Sequence, residues 1–400
     1  MKSVIILDGE ENSALCAVRS LGRAQRQTLV GAKRATAPAL HSRFVTRRFT
    51  YADPQQDPKG FIKTLRTQLR TLPERPVVLA FSDTTQTLIE QYRAELEPLI
   101  YFSWNTPDAL EIINNKAATY SEAKLLGVSV TPTFLLENAG EVRRRSVDWE
   151  FPVVVKSRRS VSWQLGVGVP GTTCFIHDIE ELITVFTMIK QQTSESPLIQ
   201  PLVRGERYEV ELLCHEGVAL AEVIHHSLRT ISPTSSVSVL RETISSDETE
   251  LSRELSRVAH KVAKALSWQG PLVVEFKVDA DTHIPFLIKI NGRFSGVLPL
   301  AGFAGVNFPL LYATQLQGNF FEAALITSRP SVVSRYWLGD AQHLLRVWLF
   351  RSTTLPHVYP TRRKALRDFF RAYRGVYFDV WQWTDPLPAL WQYIDAVNKH

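Results

Sequence analysis

Phe151-Pro152-Val153-Val154-Val155-Lys156-Ser157-Arg158-Arg159-Ser160 reads as a buried strand that ends on a lysine and opens into a polar loop, with Gly166, Gly168 and Gly171 following. A run of valines favours the extended chain. A cation at the mouth of such a strand, beside free backbone N–H groups of a glycine-bearing loop, sets positive charge where phosphate oxygens can lie. Outward from this stretch, a helix over Asp178 to Lys190 precedes a strand over Pro197 to Val203. Tyr208 to Leu213, Ala219 to His225, Leu272 to Val278 and Pro285 to Ile290 follow as strands, with a helix from Leu251 to Leu266 interposed. That order predicts an α+β half built on antiparallel sheets. The N-terminal part has a different texture: strands at Val4 to Leu7, Thr28 to Val30 and Val77 to Phe81 alternate with helical stretches, which predicts an α/β, Rossmann-like parallel sheet. Ligands of such sheets sit beyond the carboxyl ends of the strands, which singles out the turns Asp8 to Ser13 and Ser82-Asp83-Thr84. No GxGxxG follows the first strand, so a dinucleotide site of that type is excluded.

The 400 residues, 44% hydrophobic and 22% charged, describe an ordinary globular chain long enough for two or three domains. Cys16, Cys174 and Cys214 are odd in number and scattered, which fits reduced thiols in the cytoplasm, and no Cys/His group has zinc-ligand spacing. Met1 to Gly9 reads as a first strand rather than a signal peptide, and no run is long enough to span a membrane. The net charge of +6 is uneven. From Ser331 to His400 there are ten Lys/Arg against five Asp/Glu, or +5, leaving +1 for everything before. No GxSxG elbow or activated-thiol context supports a hydrolase, and basic charge without an RNA or DNA module gives no nucleic-acid partner.

Four pieces in order carry a family likeness: Phe151 to Lys156, Ile199-Gln200-Pro201-Leu202-Val203-Arg204-Gly205-Glu206, Val274-Glu275-Phe276-Lys277-Val278-Asp279, and Ile290-Asn291-Gly292-Arg293-Phe294-Ser295-Gly296. Over residues 1–330 the chain resembles the ATP-grasp superfamily, especially its carboxylate-amine ligase-like members. The resemblance implies a Rossmann-like pre-ATP-grasp domain at 1–112, a small grasp subdomain at 113–196, a large one at 197–330, and a C-terminal helical extension at 331–400. It implies ATP, with Lys116 and Lys156 on the phosphates, the linker Gln200, Pro201 and Val203 on adenine, and Glu206 on ribose, one position earlier than relatives place the acid. It implies Mg²⁺ on Glu275 and Asn291, hard oxygen ligands suited to that ion.

Lys289 stands where the family has its central metal-binding glutamate. Glutamate plus one Mg²⁺ carries the same net charge as lysine, so Lys289 is expected to replace one metal as a fixed phosphate clamp, leaving at most one ion. Arg293 matches the family's arginine on the transferring phosphoryl group. Arg229 is expected on substrate phosphate or carboxylate, with Ser82, Asp83, Ser235 and Ser236 contributing to the acceptor site, the last two at positions that are often Gly-Gly in relatives. The loop at 166–171 is expected to close over ATP. The implied reaction joins a small-molecule carboxylate to an amine through an acyl phosphate. A catalytically degenerate nucleotide sensor or scaffold is the alternative that Lys289, the shifted Glu206 and the missing glycine pair favour. In the tail, Leu366, Phe369, Phe370 and Tyr373 share one helical face opposite Arg362, Arg363, Lys364, Arg367, Arg371 and Arg374, a pattern that suits packing on the core or docking of 362–374 on an anionic membrane or acidic partner.

Overall fold

The computed structural model describes residues 3–147, 149–232, 235, 237–318, 324–349, 360–371 and 375–397. Its N-terminal sheet is parallel, in the order Arg47–Thr50, Thr28–Ala32, Val4–Ile6, Val77–Leu79. The central strand is oily on both sides because both sides are covered. Val4 and Ile6 pack with Leu15, Val18 and Leu21 of helix Asn12–Arg23, whereas Ile5 and Leu7 pack with Phe61 and Leu65 of helix Pro58–Leu69 and with Leu88 of helix Asp83–Gln91. The chain then turns on Asp8, whose φ of 58° lies in the left-handed region that aspartate tolerates. Its buried carboxylate accepts from Phe81 N (2.8 Å), Ser82 N (2.9 Å) and Thr85 Oγ1 (2.6 Å), which fastens the first turn to the second.

A small antiparallel sheet runs Phe134–Leu135, Leu198–Pro201, Val153–Lys156, Thr173–Ile176. Val153, Val155 and Ile199 face helix Ile179–Thr193 through Leu182, Phe186 and Ile189. By the two-residue period of a strand, Val154, Lys156 and Gln200 point the other way.

The large sheet runs Pro285–Asn291, Gly270–Asp279, Gly205–His215, Val218–Thr230, Ser238–Ile244, Val333–Arg335, Tyr377–Phe378. One face is apolar: Tyr208, Val210, Leu212, Ile224, Val274 and Phe276 pack on Leu255, Val258 and Val262 of helix Glu250–Ala265. The opposite face is charged. Register places Lys289, Glu275, Glu209, His225 and Thr243 in one row across five strands, and Lys277, Arg207, Ser227 and Arg241 in the row beside it.

The last 70 residues supply the expected helices Trp337–Leu349, Arg362–Phe370 and Leu387–Val397, and also two strands, Val333–Arg335 and Tyr377–Phe378, that extend the large sheet. Buried ion pairs hold them. Arg19 Nε meets Asp385 at 2.9 Å, Arg34 meets Asp395 at 2.7 Å, Arg241 pairs with Asp379, and Asp340 takes both Arg229 and Arg335. The face expected for the basic helix is corrected: Ala365 and Phe369 turn inward, but Leu366 and Phe370 stand outside among the arginines, because Phe369 is the residue that packs against Trp337. Tyr373, Arg374 and Ser236 lie outside the described residues.

Breaking a buried pair strands a charge, at a cost of about 3–5 kcal/mol. Asp385→Ala is therefore expected to lose that much unfolding free energy in a denaturant titration, whereas exposed Lys364→Ala should stay within about 0.5 kcal/mol of wild type.

Candidate active site

Two cavities open beside the charged face of the large sheet. The first, about 360 Å³, lies between the small and large sheets and is lined by Lys116, Lys156, Gln200, Pro201, Val203 and Lys277, among others. The second, about 610 Å³, lies between the turns of the parallel sheet, the large sheet and the C-terminal segment. Asp83, Glu275 and Lys289 line both. The junction of the two cavities is thus a carboxylate–lysine–carboxylate cluster.

Lys116 begins helix Lys116–Leu125, and its ammonium donates to the carbonyls of Ser157 (3.2 Å) and Arg158 (3.4 Å) at the start of the polar loop. Burial, then the neighbouring Lys289 and Lys156, lowers its pKa to about 7. Lys156 is lowered to about 8 by burial and by Arg207. Lys277 goes the same way, to about 8, for the same two reasons. Three cations crowded into one cavity await an anion. The Gln200 side chain donates to Thr133 Oγ1 at 2.8 Å, so it braces the linker, while Pro201 and Val203 line the cavity.

At the junction, Asn291 donates its amide N–H to Glu275 Oε1 at 2.8 Å, and Asn291 Oδ1 is buried without a partner. Across the ladder from Glu275, Lys289 Nζ stands 3.6 Å from Asp83 Oδ2, and Arg293 Nε pairs with the other Asp83 oxygen. Burial alone would raise Asp83; Arg293 and Lys289 outweigh it and hold this carboxyl well below the usual range. Gly292 permits the tight passage between Asn291 and Arg293, since a Cβ there would meet Trp268 and Ile113 at 2.5 Å.

Several expected residues are elsewhere. Glu206 points away from the 360 Å³ cavity: strand alternation sends it to the side of Tyr208, whose hydroxyl donates to it at 3.0 Å, and puts Arg207 on the cavity instead. The glycine before it, Gly205, is required by φ of +148° and by Val278 O, 1.8 Å from where a Cβ would stand. Arg229 is spent on Asp340 and on the carbonyl of Asp368 (2.9 Å), and does not line either cavity. Ser235 forms a local turn, its hydroxyl accepting from Val237 N at 3.0 Å, while Val237 and Ser238 reach the larger cavity. Ser82 lines that cavity but also caps helix Asp83–Gln91 and donates to Asp8. The hairpin Val161–Gln164 and Val167–Pro170 rests on the parallel-sheet half, Gly168 N donating to Gln55 O at 2.8 Å.

Sequence reasoning passed over Arg207, Glu209, Glu211 and Lys277. Their signal was the alternation Arg207-Tyr-Glu209-Val-Glu211-Leu, charges spaced by two within an apolar strand. Glu209 lies 3.4 Å from His225 Nε2 and accepts from Ser295 Oγ at 3.1 Å; burial works against its ionisation, but His225 outweighs burial and keeps it lowered. Burial pushes Glu211 up to about 8, with Ser295 N–H donating to it at 2.9 Å. Among the described residues no group of three or more His, Cys, Asp or Glu side chains converges as metal ligands.

Residues 194–336 match a family model described as ATP-grasp in the biosynthetic pathway with Ter operon. No curated protein matches the chain. Among solved structures, N5-carboxyaminoimidazole synthetase from Staphylococcus aureus superposes with a TM-score of 0.63 at 12% identity, over 88% of each chain. L-amino acid ligase from Bacillus licheniformis gives 0.62 at 16% identity, over 83% of this chain and 78% of its own. The biotin carboxylase domain of Hydrogenobacter thermophilus 2-oxoglutarate carboxylase, in complex with MgADP, ADP and bicarbonate, gives 0.64 at 15%, over 83% and 73%. These likenesses establish the fold.

Lys116 and Lys156 are charged only below about 7 and 8. If a polyphosphate binds their charged forms, its affinity should fall as pH rises through that window, and Lys156→Arg should flatten the upper part, as read by titration calorimetry with ATP. The unliganded protein should trend oppositely at these groups: their folded pKa lies below the ordinary 10.5, so the unfolded chain holds more protons between about 7 and 10.5, and their contribution to stability rises with pH there.

Proposed function

We propose that this ATP-grasp protein is a ligase that activates a small-molecule carboxylate with ATP and joins it to an amine. The observation that carries the proposal is the junction of two cavities at Asp83, Glu275 and Lys289. A nucleotide in the smaller cavity, its base beside Gln200, Pro201 and Val203 and its phosphates toward Lys116 and Lys156, would present its terminal phosphoryl group to an acceptor in the larger one. The nucleotide is then held between 113–196 and 197–330, and the acceptor between 1–112, the large sheet and the segment 331–400. Unpaired thiols suit a reducing compartment, and we place the protein in the cytoplasm.

A carboxylate oxygen attacks the terminal phosphorus, the bond to the bridging oxygen of ADP breaks, and an acyl phosphate forms. The amine nitrogen then attacks the acyl carbon, phosphate leaves, and the nitrogen loses a proton. Such chemistry asks the protein for positioning and for positive charge on the phosphoryl oxygens. Arg293 and Lys289 supply that charge at the junction. Asp83 neutralises both in the unliganded site and holds them aimed. Mg²⁺ fits at one position: the unpartnered Asn291 Oδ1 and the Glu275 carboxylate offer hard oxygens, and the ion would supply further charge neutralisation on the phosphates. A second ion does not fit beside it, because Lys289 stands directly across the ladder from Glu275.

Incubation with ATP, hydroxylamine and a panel of carboxylates should release ADP and acyl hydroxamate; binding of ATP without either product would establish the sensor or scaffold instead. Arg293→Ala should lower kcat about 10²–10³-fold with ATP affinity little changed. Lys289→Glu should raise the Mg²⁺ bound per ATP from one to two in a metal titration, and an unchanged ratio would overturn the clamp.

A further inference from the structure

The C-terminal segment carries a surface that the ligase reading does not use. Helices Trp337–Leu349 and Arg362–Phe370 pack antiparallel: Trp337 meets Phe369 at 5.0 Å between ring centroids, and at the other end Arg362 donates to the Trp348 carbonyl at 3.0 Å and lies 5.7 Å from its ring centroid. Ala365 and Phe369 fill the interface. The outward face of the second helix, at spacings of three and four, is Arg363, Leu366, Arg367, Phe370 and Arg371, which line one shallow groove. Phe370 is 71% exposed there. On the first helix Leu345, Trp348 and Leu349 share a face and are exposed too, and the Trp348–Arg362 contact joins the two faces.

Charge on this surface is one-sided for a structural reason. Of the five acidic residues after Ser331, Asp340, Asp379, Asp385 and Asp395 are all buried against arginines, three of those pairs being with Arg241, Arg19 and Arg34 of the body. The body thus consumes the tail's carboxylates and leaves the tail's own cations outside. From Ala341 to Arg371 the sequence has Arg346, Arg351, Arg362, Arg363, Lys364, Arg367 and Arg371 against Asp368 alone. Bulky apolar side chains standing in water among guanidinium groups need a partner that is oily and anionic at once. A bilayer interface with anionic headgroups is that partner: the rings and leucines enter the acyl boundary, and the long cationic side chains stay at headgroup level. No helix among the described residues is long and apolar enough to cross, so contact is peripheral.

We propose that the exposed faces of Trp337–Leu349 and Arg362–Phe370 dock the protein on anionic membrane surfaces. Co-sedimentation of the full-length protein with phosphatidylcholine vesicles, with and without phosphatidylglycerol, tests it. Binding is expected only to the mixed vesicles and should weaken with added salt. Each of R363Q and R367Q should lower the partition coefficient about fivefold, and F370S should lower it by at least as much, with melting temperatures unchanged because the three side chains face solvent. Absence of binding, equal binding to neutral vesicles, or insensitivity to both salt and F370S would overturn the proposal. So would F370S-sensitive self-association without lipid binding, which would identify a second copy as the occupant.

Discussion

Arginine–aspartate pairs, withdrawn from water, hold this molecule in one piece. Arg19 and Arg34 rise from the parallel-sheet half, Arg229 and Arg241 from the large sheet, and each meets an aspartate that lies far along the chain. Such pairs recover their desolvation cost only when further hydrogen bonds complete the geometry. They do so here: Arg19 also donates to the carbonyls of Val380 and Asp385 at 2.8 Å, and Asp385 also accepts from Ser42 Oγ at 2.7 Å and Arg43 N at 2.9 Å. The larger cavity depends on this fastening, since Tyr336, Asp379, Gln392 and Asp395 form one of its walls.

The parts of the fold that periodicity governs were legible in the sequence. Val4 to Leu7 and Phe151 to Lys156 could be buried strands and little else, and the resemblance ordered them. Lys116, Lys156, Pro201 and Val203 line one cavity as the motifs implied, and Asn291 and Arg293 line the other. Glu206 went astray because the family's spacing was followed where the strand's own alternation pointed to Arg207. Arg229 went astray because its partner, Asp340, is 111 residues later, and no local pattern announces a pairing at that distance.

Lys289 gains a context that the linear sequence could not supply. A lysine in place of a glutamate reads as a lost ligand when only its neighbours in the chain are known. In space it faces Asp83, delivered from the helix that follows the fourth parallel strand. The negative charge missing from one sheet is thus provided by another, together with Arg293 on the same carboxylate.

The rows of charge across the large sheet also bear on how such a protein can change over time. Residues on a strand trade faces with every step, so inserting or deleting one residue within Gly205–His215 would drive Arg207, Glu209 and Glu211 into the oil beneath and lift Val210 and Leu212 into the cavities. Replacing a residue, as at Lys289, leaves every other side chain where it was. Descendants of this sheet are free to rewrite the chemistry one letter at a time, but not to alter the count of letters between the strands' ends.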